Sequence, residues 1–153
     1  MIIISWNYRG LRNHQAVQVL ADLVRSKGPI VLFLMETKLS VQEMIPIRDK
    51  LGYCSMLSVP SMRRSRGLAL LWKDEVTVAT QTCSLNHIDV KSTCSLQVEW
   101  RLIGVYGHPK EQRKKEIWAL LRHLHSRASM PWVCFGNFNE LLASDEKSGG
   151  VSK

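Results

Sequence analysis

Several polar side chains suited to a metal-assisted site stand directly after apolar, β-rich runs of this chain. They are Asn7, Glu36, Tyr106, His108, Asn137 and Asn139. A carboxylate at a strand end can hold a hard divalent cation, amides can orient a phosphate or a water, and a Tyr hydroxyl can contact a phosphate oxygen. Ligand sites collect where several strand ends meet. Strands also end in turns, which favour Asn and Gly, so the spacing alone leaves a shared site and ordinary turns both open.

The elements that position these side chains follow from hydrophobic periodicity. Val17, Leu20 and Val24 repeat at helical spacing, whereas Ile30–Met35 is a short, continuously apolar run, as in a buried strand. The predicted strands are Met1–Trp6, Ile30–Met35, Tyr53–Val59, Leu68–Trp72, Val76–Thr80, Ile88–Lys91, Leu96–Val105 and Trp132–Phe135, and the predicted helices are His14–Ser26, Val41–Leu51 and Glu111–Arg127. A strand, a helix and a strand follow one another at 2–35 and again at 102–135, which favours sheets covered by helices.

The charge of the chain points to an anionic partner. Lys and Arg number 21 against 13 acids, which gives a net charge of +8. Such a surface suits nucleic acid, although a generic basic surface explains it equally well. The segment Ser61–Gly67 reads as a basic loop, and we assign its Arg63, Arg64 and Arg66 to nucleic-acid contact.

Cysteine usage and hydropathy indicate an intracellular protein, nuclear or cytoplasmic and not secreted. The four cysteines are scattered without a CxxC pair, which argues against a zinc ribbon and for free thiols. The apolar start Met1–Ile4 lacks the basic region and cleavage site of a signal peptide. No stretch approaches the roughly 20 apolar residues of a membrane helix, so no membrane association is expected.

Six segments carry a known set of motifs in order across nearly the whole chain. They are SWNYRGL at 5–11, LFLMETK at 32–38, GLALLW at 67–72, YGHP at 106–109, WVCFGNFNE at 132–140 and SDEKSGG at 144–150. Each segment alone is a weak signal, but the ordered set is specific. The chain resembles the front part of plant non-LTR (LINE-type) retrotransposon endonucleases, of the endonuclease/exonuclease/phosphatase (DNase I-like) family.

The resemblance implies an α+β fold, a four-layer α/β/β/α sandwich that is incomplete at its C-terminus. We therefore expect residues 1–153 to form a single partial domain, with a frayed, Gly-rich tail at 144–153. The resemblance also implies nicking of a DNA phosphodiester with Mg²⁺ or Mn²⁺, and no small-molecule cofactor. An oxygen-rich site agrees with this, because Mg²⁺ keeps several waters and takes few carboxylates.

The resemblance also implies a role for each site residue. Glu36 is the main metal ligand and Asn7 assists it. Tyr106 contacts the scissile phosphate, and Asn139 helps to orient that phosphate. Asn137 stands where the family has the Asp that handles the nucleophilic water. We further assign His108, in the YGHP turn, to nucleic-acid contact.

Departures from the family pattern predict impaired catalysis. The amide of Asn137 is neutral and cannot act as a general base, and the loss of such a group costs about 10²–10⁴-fold in rate. The family also has a late Ser-Asp-His segment whose His completes the site, and the 153 residues contain no such segment. Arg66 stands where the family commonly has Gly and could instead extend the basic loop.

Three functions stay open at this stage. The chain can be a metal-dependent DNA endonuclease, a non-catalytic nucleic-acid-binding remnant, or a gene fragment without function. Asn137 favours the second and third over the first. A phosphatase of small phosphoesters belongs to the same superfamily, but the motifs here are those of the retroelement branch.

Overall fold

Two four-stranded sheets make up the framework of the protein. The computed structural model describes residues 1–63, 65–127 and 129–140. The first sheet holds β1 (Ile3–Asn7), β2 (Val31–Met35), β3 (Ser55–Val59) and β4 (Leu68–Trp72), and the second holds β5 (Val76–Cys83), β6 (His87–Cys94), β7 (Glu99–Tyr106) and β8 (Trp132–Asn137). The helices are α1 (His14–Lys27), α2 (Val41–Leu51) and α3 (Lys114–Ser126), the last preceded by a 3₁₀ turn at Glu111–Arg113. Arg64 and the predicted tail at 144–153 lie outside the described residues.

Each sheet ends in a parallel strand pair that follows from a strand–helix–strand crossover. The first sheet has the order β1-β2-β4-β3 and the second the order β5-β6-β7-β8. β1 runs parallel to β2, and β7 runs parallel to β8, whereas the other pairs are antiparallel. The paired carboxyl ends of parallel strands lie at one edge of a sheet, which is where ligand sites form.

Three apolar clusters separate the layers. Phe33 of β2, Leu70 of β4 and Leu102 of β7 belong to the cluster between the two sheets. A second cluster joins α1 and α2 to the outer face of the first sheet, and a third joins α3 to the outer face of the second. The predicted α+β sandwich of four layers, helix on sheet on sheet on helix, is confirmed. No helix in the described part of the chain is long and apolar enough to cross a membrane.

The element ends differ from the sequence prediction where they matter for the site. Asn7, Tyr106 and Asn137 are the last residues of β1, β7 and β8, whereas the sequence placed them just after their strands. Each therefore still pairs with a neighbouring strand, Asn7 with Met35 and Tyr106 with Asn137. This backbone pairing fixes their positions better than a turn would.

A polar network supports the turn between β5 and β6, which lies beside the end of β7. The His87 ring contacts the Ser84 hydroxyl through Nδ1 at 2.7 Å and the Thr82 hydroxyl through Nε2 at 2.9 Å. Thr82 donates its own proton to the buried Asp89. His87 Nε2 therefore donates to Thr82, and Nδ1 accepts from Ser84. A neutral imidazole satisfies all of these contacts.

The network predicts a loss of stability in acid. Burial lowers the pKa of His87 below its usual 6.5. The Asp89 charge raises this pKa and the Arg101 charge lowers it, and burial is the largest of the three effects. The unfolded chain therefore takes up the proton first, so stability that is complete above about pH 6.5 is lost as the pH falls below that value. We expect the free energy of unfolding to fall between pH 7 and pH 5, and the fall to shrink in His87→Gln. Urea titrations at both pH values test this, with the exposed His14→Gln as control. An unchanged fall in His87→Gln would contradict it.

Candidate active site

The two sheets bring Glu36 and Tyr106 into contact. Glu36 follows β2 in the first sheet, and Tyr106 ends β7 in the second. The Tyr106 hydroxyl donates a hydrogen bond to Glu36 Oε1 across the interface between the sheets. Glu36 and Tyr106 are 70 positions apart in the chain, so the sandwich creates this contact and no local motif does.

The backbone around Glu36 is held in an unusual conformation. Glu36 has φ +53°, in the left-handed region that non-glycine residues seldom adopt. The next two residues are anchored, because Thr37 N donates to Gly67 O at 3.1 Å and Lys38 N to Arg66 O at 2.9 Å. A Cβ on Gly67 would lie 2.4 Å from Thr37 Oγ1, so this close approach requires glycine. Residues with such backbone strain persist only where the surrounding structure holds them, and they are frequent at functional sites.

Tyr106 keeps its proton at neutral pH. Burial raises the pKa of its hydroxyl to about 12, with a further contribution from the Glu36 carboxylate. The positive charges of Arg66 and Arg9 lower the pKa of the same hydroxyl, which shows that both guanidinium groups lie within electrostatic reach of it. The hydroxyl is therefore a hydrogen-bond donor, which is bonded to the Glu36 carboxylate.

Asn7 carries an oxygen that the protein leaves without a partner. Among the described residues, Asn7 Oδ1 is buried and accepts no hydrogen bond. An unsatisfied buried polar atom costs about 1–3 kcal/mol, so it calls for a bound water or cation. Asn7 pairs with Met35, the residue before Glu36, so the amide and the carboxylate come from neighbouring strand ends.

The donor set at these strand ends fits Mg²⁺ weakly. One carboxylate and one amide oxygen are the hard ligands that Mg²⁺ accepts, with waters filling its other positions. The described residues contain no group of three or more His, Cys, Asp or Glu side chains that could hold a metal. Glu36 and Asn7 are therefore the residues that could hold the cation, and few protein ligands make for low affinity.

Asn137 and Asn139 form a tight turn against the end of β7. Asn139 N donates to Asn137 Oδ1 at 2.9 Å, and Asn139 Nδ2 donates to Gly107 O at 2.7 Å. Asn139 has φ +53°, like Glu36. A Cβ on Gly107 would lie 2.1 Å from Phe138 O, so glycine is needed for this approach. Asn137 and Asn7 line one cavity of about 750 Å³, so β1 and β8 present their last residues to the same space.

The structure separates the residues assigned to nucleic-acid contact. Arg66 lies near Tyr106 and donates from Nη1 to Asn86 Oδ1 at 3.4 Å. Arg63 is exposed in the adjoining loop, and Arg64 lies outside the described residues. His108 is only 4% exposed, and its Nε2 lies 3.2 Å from Glu116. This burial lowers the pKa of His108 and leaves almost none of its ring open to a ligand. The assignment of His108 to nucleic-acid contact stays a prediction, and its burial argues against it.

Two residues that the sequence did not single out stand beside the site. Asn86 receives a hydrogen bond on its carbonyl from Tyr106 N at 2.8 Å and donates from Nδ2 to Tyr106 O at 2.7 Å. Arg9 acts on the Tyr106 hydroxyl through its charge. Asn86 stands in a polar turn that resembles any other in the sequence, whereas Arg9 lies inside the SWNYRGL motif and could have been found there.

Residues 4–152 match the sequence model of the Endonuclease/Exonuclease/phosphatase family. The chain belongs to this family. A search of curated proteins found no match. The membership covers every strand end described above, so the predicted family is confirmed.

Several solved structures have the same fold as this chain. TDP2 from D. rerio, complexed with a single-strand DNA product, superposes with a TM-score of 0.72 at 17% identity over 91% of this chain. An AP endonuclease from Archaeoglobus fulgidus gives 0.68 at 16% identity over 91%, and ANGEL2, a 2',3'-cyclic phosphatase, gives 0.70 at 15% over 93%. The chain spans 60%, 58% and 53% of these proteins, respectively. At such identities the likeness establishes the fold.

Proposed function

We propose that this chain is a retroelement-derived, Mg²⁺-dependent DNA endonuclease domain in which Asn137 impairs cleavage. The observation that carries the proposal is the contact of the Tyr106 hydroxyl with Glu36 across the two sheets, and the unpartnered oxygen of Asn7 at the end of the neighbouring strand supports it. A carboxylate, an amide oxygen and a protonated phenol at one set of strand ends suit a metal-assisted attack on a phosphodiester. The location that we propose is intracellular, either nuclear or cytoplasmic.

The family and its motifs support the finer parts of this proposal. Phosphodiester chemistry agrees with the family name and with TDP2, whose structure holds a DNA product. The retroelement origin rests on the six ordered motifs, such as SWNYRGL and SDEKSGG. The same motif sequences, which resemble those of plant elements, support a plant source.

Each residue of the site has a distinct task in the proposed reaction. Glu36 and Asn7 would hold Mg²⁺, and a cation there would supply positive charge to offset the charge that develops on the phosphate. The Tyr106 hydroxyl has one proton, which orients Glu36 in this structure and would have to leave Glu36 to donate to a phosphate oxygen. Asn139, fixed by its bond to Gly107 O, holds the loop in place beside Asn137. Asn137 can orient a water but cannot accept its proton, so the attacking step lacks a base.

Binding without catalysis is the second candidate function. Arg9 and Arg66 form no ion pair with any described residue, so their charges are available to a phosphate. A chain that binds DNA through these arginines, and that shows no Mg²⁺-dependent nicking even with Asp at position 137 and a C-terminal segment of a family member added, would be such a binding remnant.

Metal binding tests the core of the proposal independently of turnover. We expect the chain to bind Mn²⁺ weakly and Glu36→Gln to lose this binding, because a neutral amide replaces the only carboxylate of the proposed ligand pair. Calorimetric titration with Mn²⁺ measures both. Glu75→Gln, which changes an exposed acid in the β4–β5 turn, is the matched control and should bind like the unaltered chain. Equal binding by Glu36→Gln would remove Glu36 from the metal site.

A further inference from the structure

A second polar cavity lies next to the Glu36–Tyr106 site. It has a volume of about 470 Å³ and opens between the 61–67 loop and the β5–β6 turn. Arg66 and Arg113 supply its charge, and Ser65, Ser84 and Asn86 supply polar groups. No carboxylate lines it among the described residues. A cavity with guanidinium groups and hydroxyls suits a phosphate, which arginine binds through paired N–H donors.

Asn86 connects this cavity to the candidate active site. Its Nδ2 donates to Tyr106 O at 2.7 Å, while its Oδ1 accepts from Arg66 Nη1 at 3.4 Å. One amide side chain therefore holds both the backbone of Tyr106 and the guanidinium of Arg66. The His87–Ser84 bond at 2.7 Å fixes the turn that carries Asn86. The spacing between the two sites is thus set by a rigid β-turn.

The charges of the cavity differ in how far they are neutralised. Arg113 forms two hydrogen bonds with Glu116, at 3.0 and 3.1 Å, so its charge is largely paired. Arg66 has no acidic partner among the described residues, and the neutral Asn86 is its hydrogen-bond acceptor. Arg66 also has φ +63°, in the left-handed region, which the 61–67 loop must hold against steric cost. The unpaired guanidinium is therefore the group that an incoming phosphate would meet.

We infer that this cavity is a second phosphate subsite, in which Arg66, positioned by Asn86, binds the phosphate next to the one held at Glu36 and Tyr106. This inference rests on the proposed function and narrows its substrate. The site should take a DNA strand with at least two consecutive phosphodiesters and should discriminate against a lone phosphate ester. Such a site would favour action on a DNA strand over action on small phosphoesters.

Short thymidine oligonucleotides can measure the subsite directly. The probes are TpT, with one phosphodiester, TpTpT, with two, and TpTpT carrying a neutral methylphosphonate at either linkage. Their affinities in Mg²⁺ buffer are measured by competition against a fluorescein-labelled oligothymidine. We expect TpTpT to bind about tenfold more tightly than TpT, since a charge-assisted contact of this kind contributes at least that factor. The methylphosphonate form that is neutral at the linkage bound by Arg66 should lose this tenfold gain in affinity.

Arg66→Gln should weaken TpTpT about tenfold and weaken TpT much less, because only its long-range charge reaches the Glu36–Tyr106 site. In Arg66→Gln, a methylphosphonate at the linkage bound by Arg66 should no longer lower the affinity of TpTpT. The variant should also reduce the slope of log affinity against log salt by roughly 0.7. Asn86→Ala should reduce the TpTpT affinity in the same selective way. Arg25→Gln, on the exposed face of α1, is the matched control and should change none of these.

The outcomes separate this inference from the proposed function. Equal weakening of TpT and TpTpT by Arg66→Gln, or no weakening of either, overturns the subsite and leaves the Glu36 metal test untouched. Equal affinity of the unaltered chain for TpT and TpTpT overturns it without any variant. If Glu36→Gln binds Mn²⁺ as well as the unaltered chain does, while the selective effect of Arg66→Gln is intact, the proposed chemistry is overturned instead. The cavity is then a strand-binding site.

Discussion

Replacing Asn137 by Asp is expected to raise Mg²⁺-dependent nicking of supercoiled plasmid by about 10²–10⁴-fold in a form extended with a C-terminal segment of a family member. The reason is chemical. Asn137 Oδ1 already accepts from Asn139 N at 2.9 Å, and an Asp carboxylate can accept the same bond, so the turn keeps its shape. The change replaces a neutral amide by a carboxylate, which carries a negative charge and can take a proton from the attacking water.

The 153-residue chain itself should respond much less to Asn137→Asp. The family that the chain resembles has a late His in a Ser-Asp-His segment, and these 153 residues do not contain that segment. Catalytic groups of one site act as a unit, so restoring one member recovers little while another is missing. The measurement compares four forms, with and without the extension and with Asn or Asp at position 137.

Glu36→Gln is the control for this experiment. Added to the extended Asn137→Asp form, it should abolish nicking, because the proposed metal site loses its carboxylate ligand. Nicking by the unaltered 153-residue chain that disappears in Glu36→Gln would refute the claim of impairment. Nicking that survives Glu36→Gln in every form would place the activity outside this site.

Replacing Asp89 by Asn is expected to destabilise the fold by about 3–5 kcal/mol, because it leaves a buried guanidinium without its counter-charge. Asp89 is fully buried, and Arg101 reaches its carboxylate with two hydrogen bonds, at 2.8 and 2.6 Å. A third bond, from Arg101 Nη1 to Leu124 O at 2.7 Å, satisfies a carbonyl in the last turn of α3. The pair therefore ties β6 and β7 to the helix that covers them.

The same two strands supply a matched control. Lys91 on β6 and Glu99 on β7 also form an ion pair at 2.6 Å, but their side chains are 35% and 46% exposed, against 10% and 0% for Arg101 and Asp89. Glu99→Gln should cost only about 0.2–1 kcal/mol, because water already screens this pair. Urea unfolding of both variants, with unchanged slopes, measures the difference. Equal losses would show that burial does not decide the strength of these pairs.

The sequence by itself determined the local elements and the family. Continuous apolar runs predicted β2 and β4 almost to the residue, and the repeat of Val17, Leu20 and Val24 predicted α1. These patterns depend on the neighbours of each residue, so the chain alone carries them. The motif order predicted the four-layer sandwich, and it placed Glu36 at a strand end.

Only the tertiary structure decided which polar residues meet. The bond from Tyr106 to Glu36 joins two sheets, and Asn86 reaches Tyr106 O from the β5–β6 turn, which no periodicity predicts. The burial of His108 beside Glu116 and the pairing of Arg101 with Asp89 likewise depend on how α3 packs on the second sheet. Burial and charge pairing are properties of neighbours in space, and the spacing of residues along a chain does not contain them.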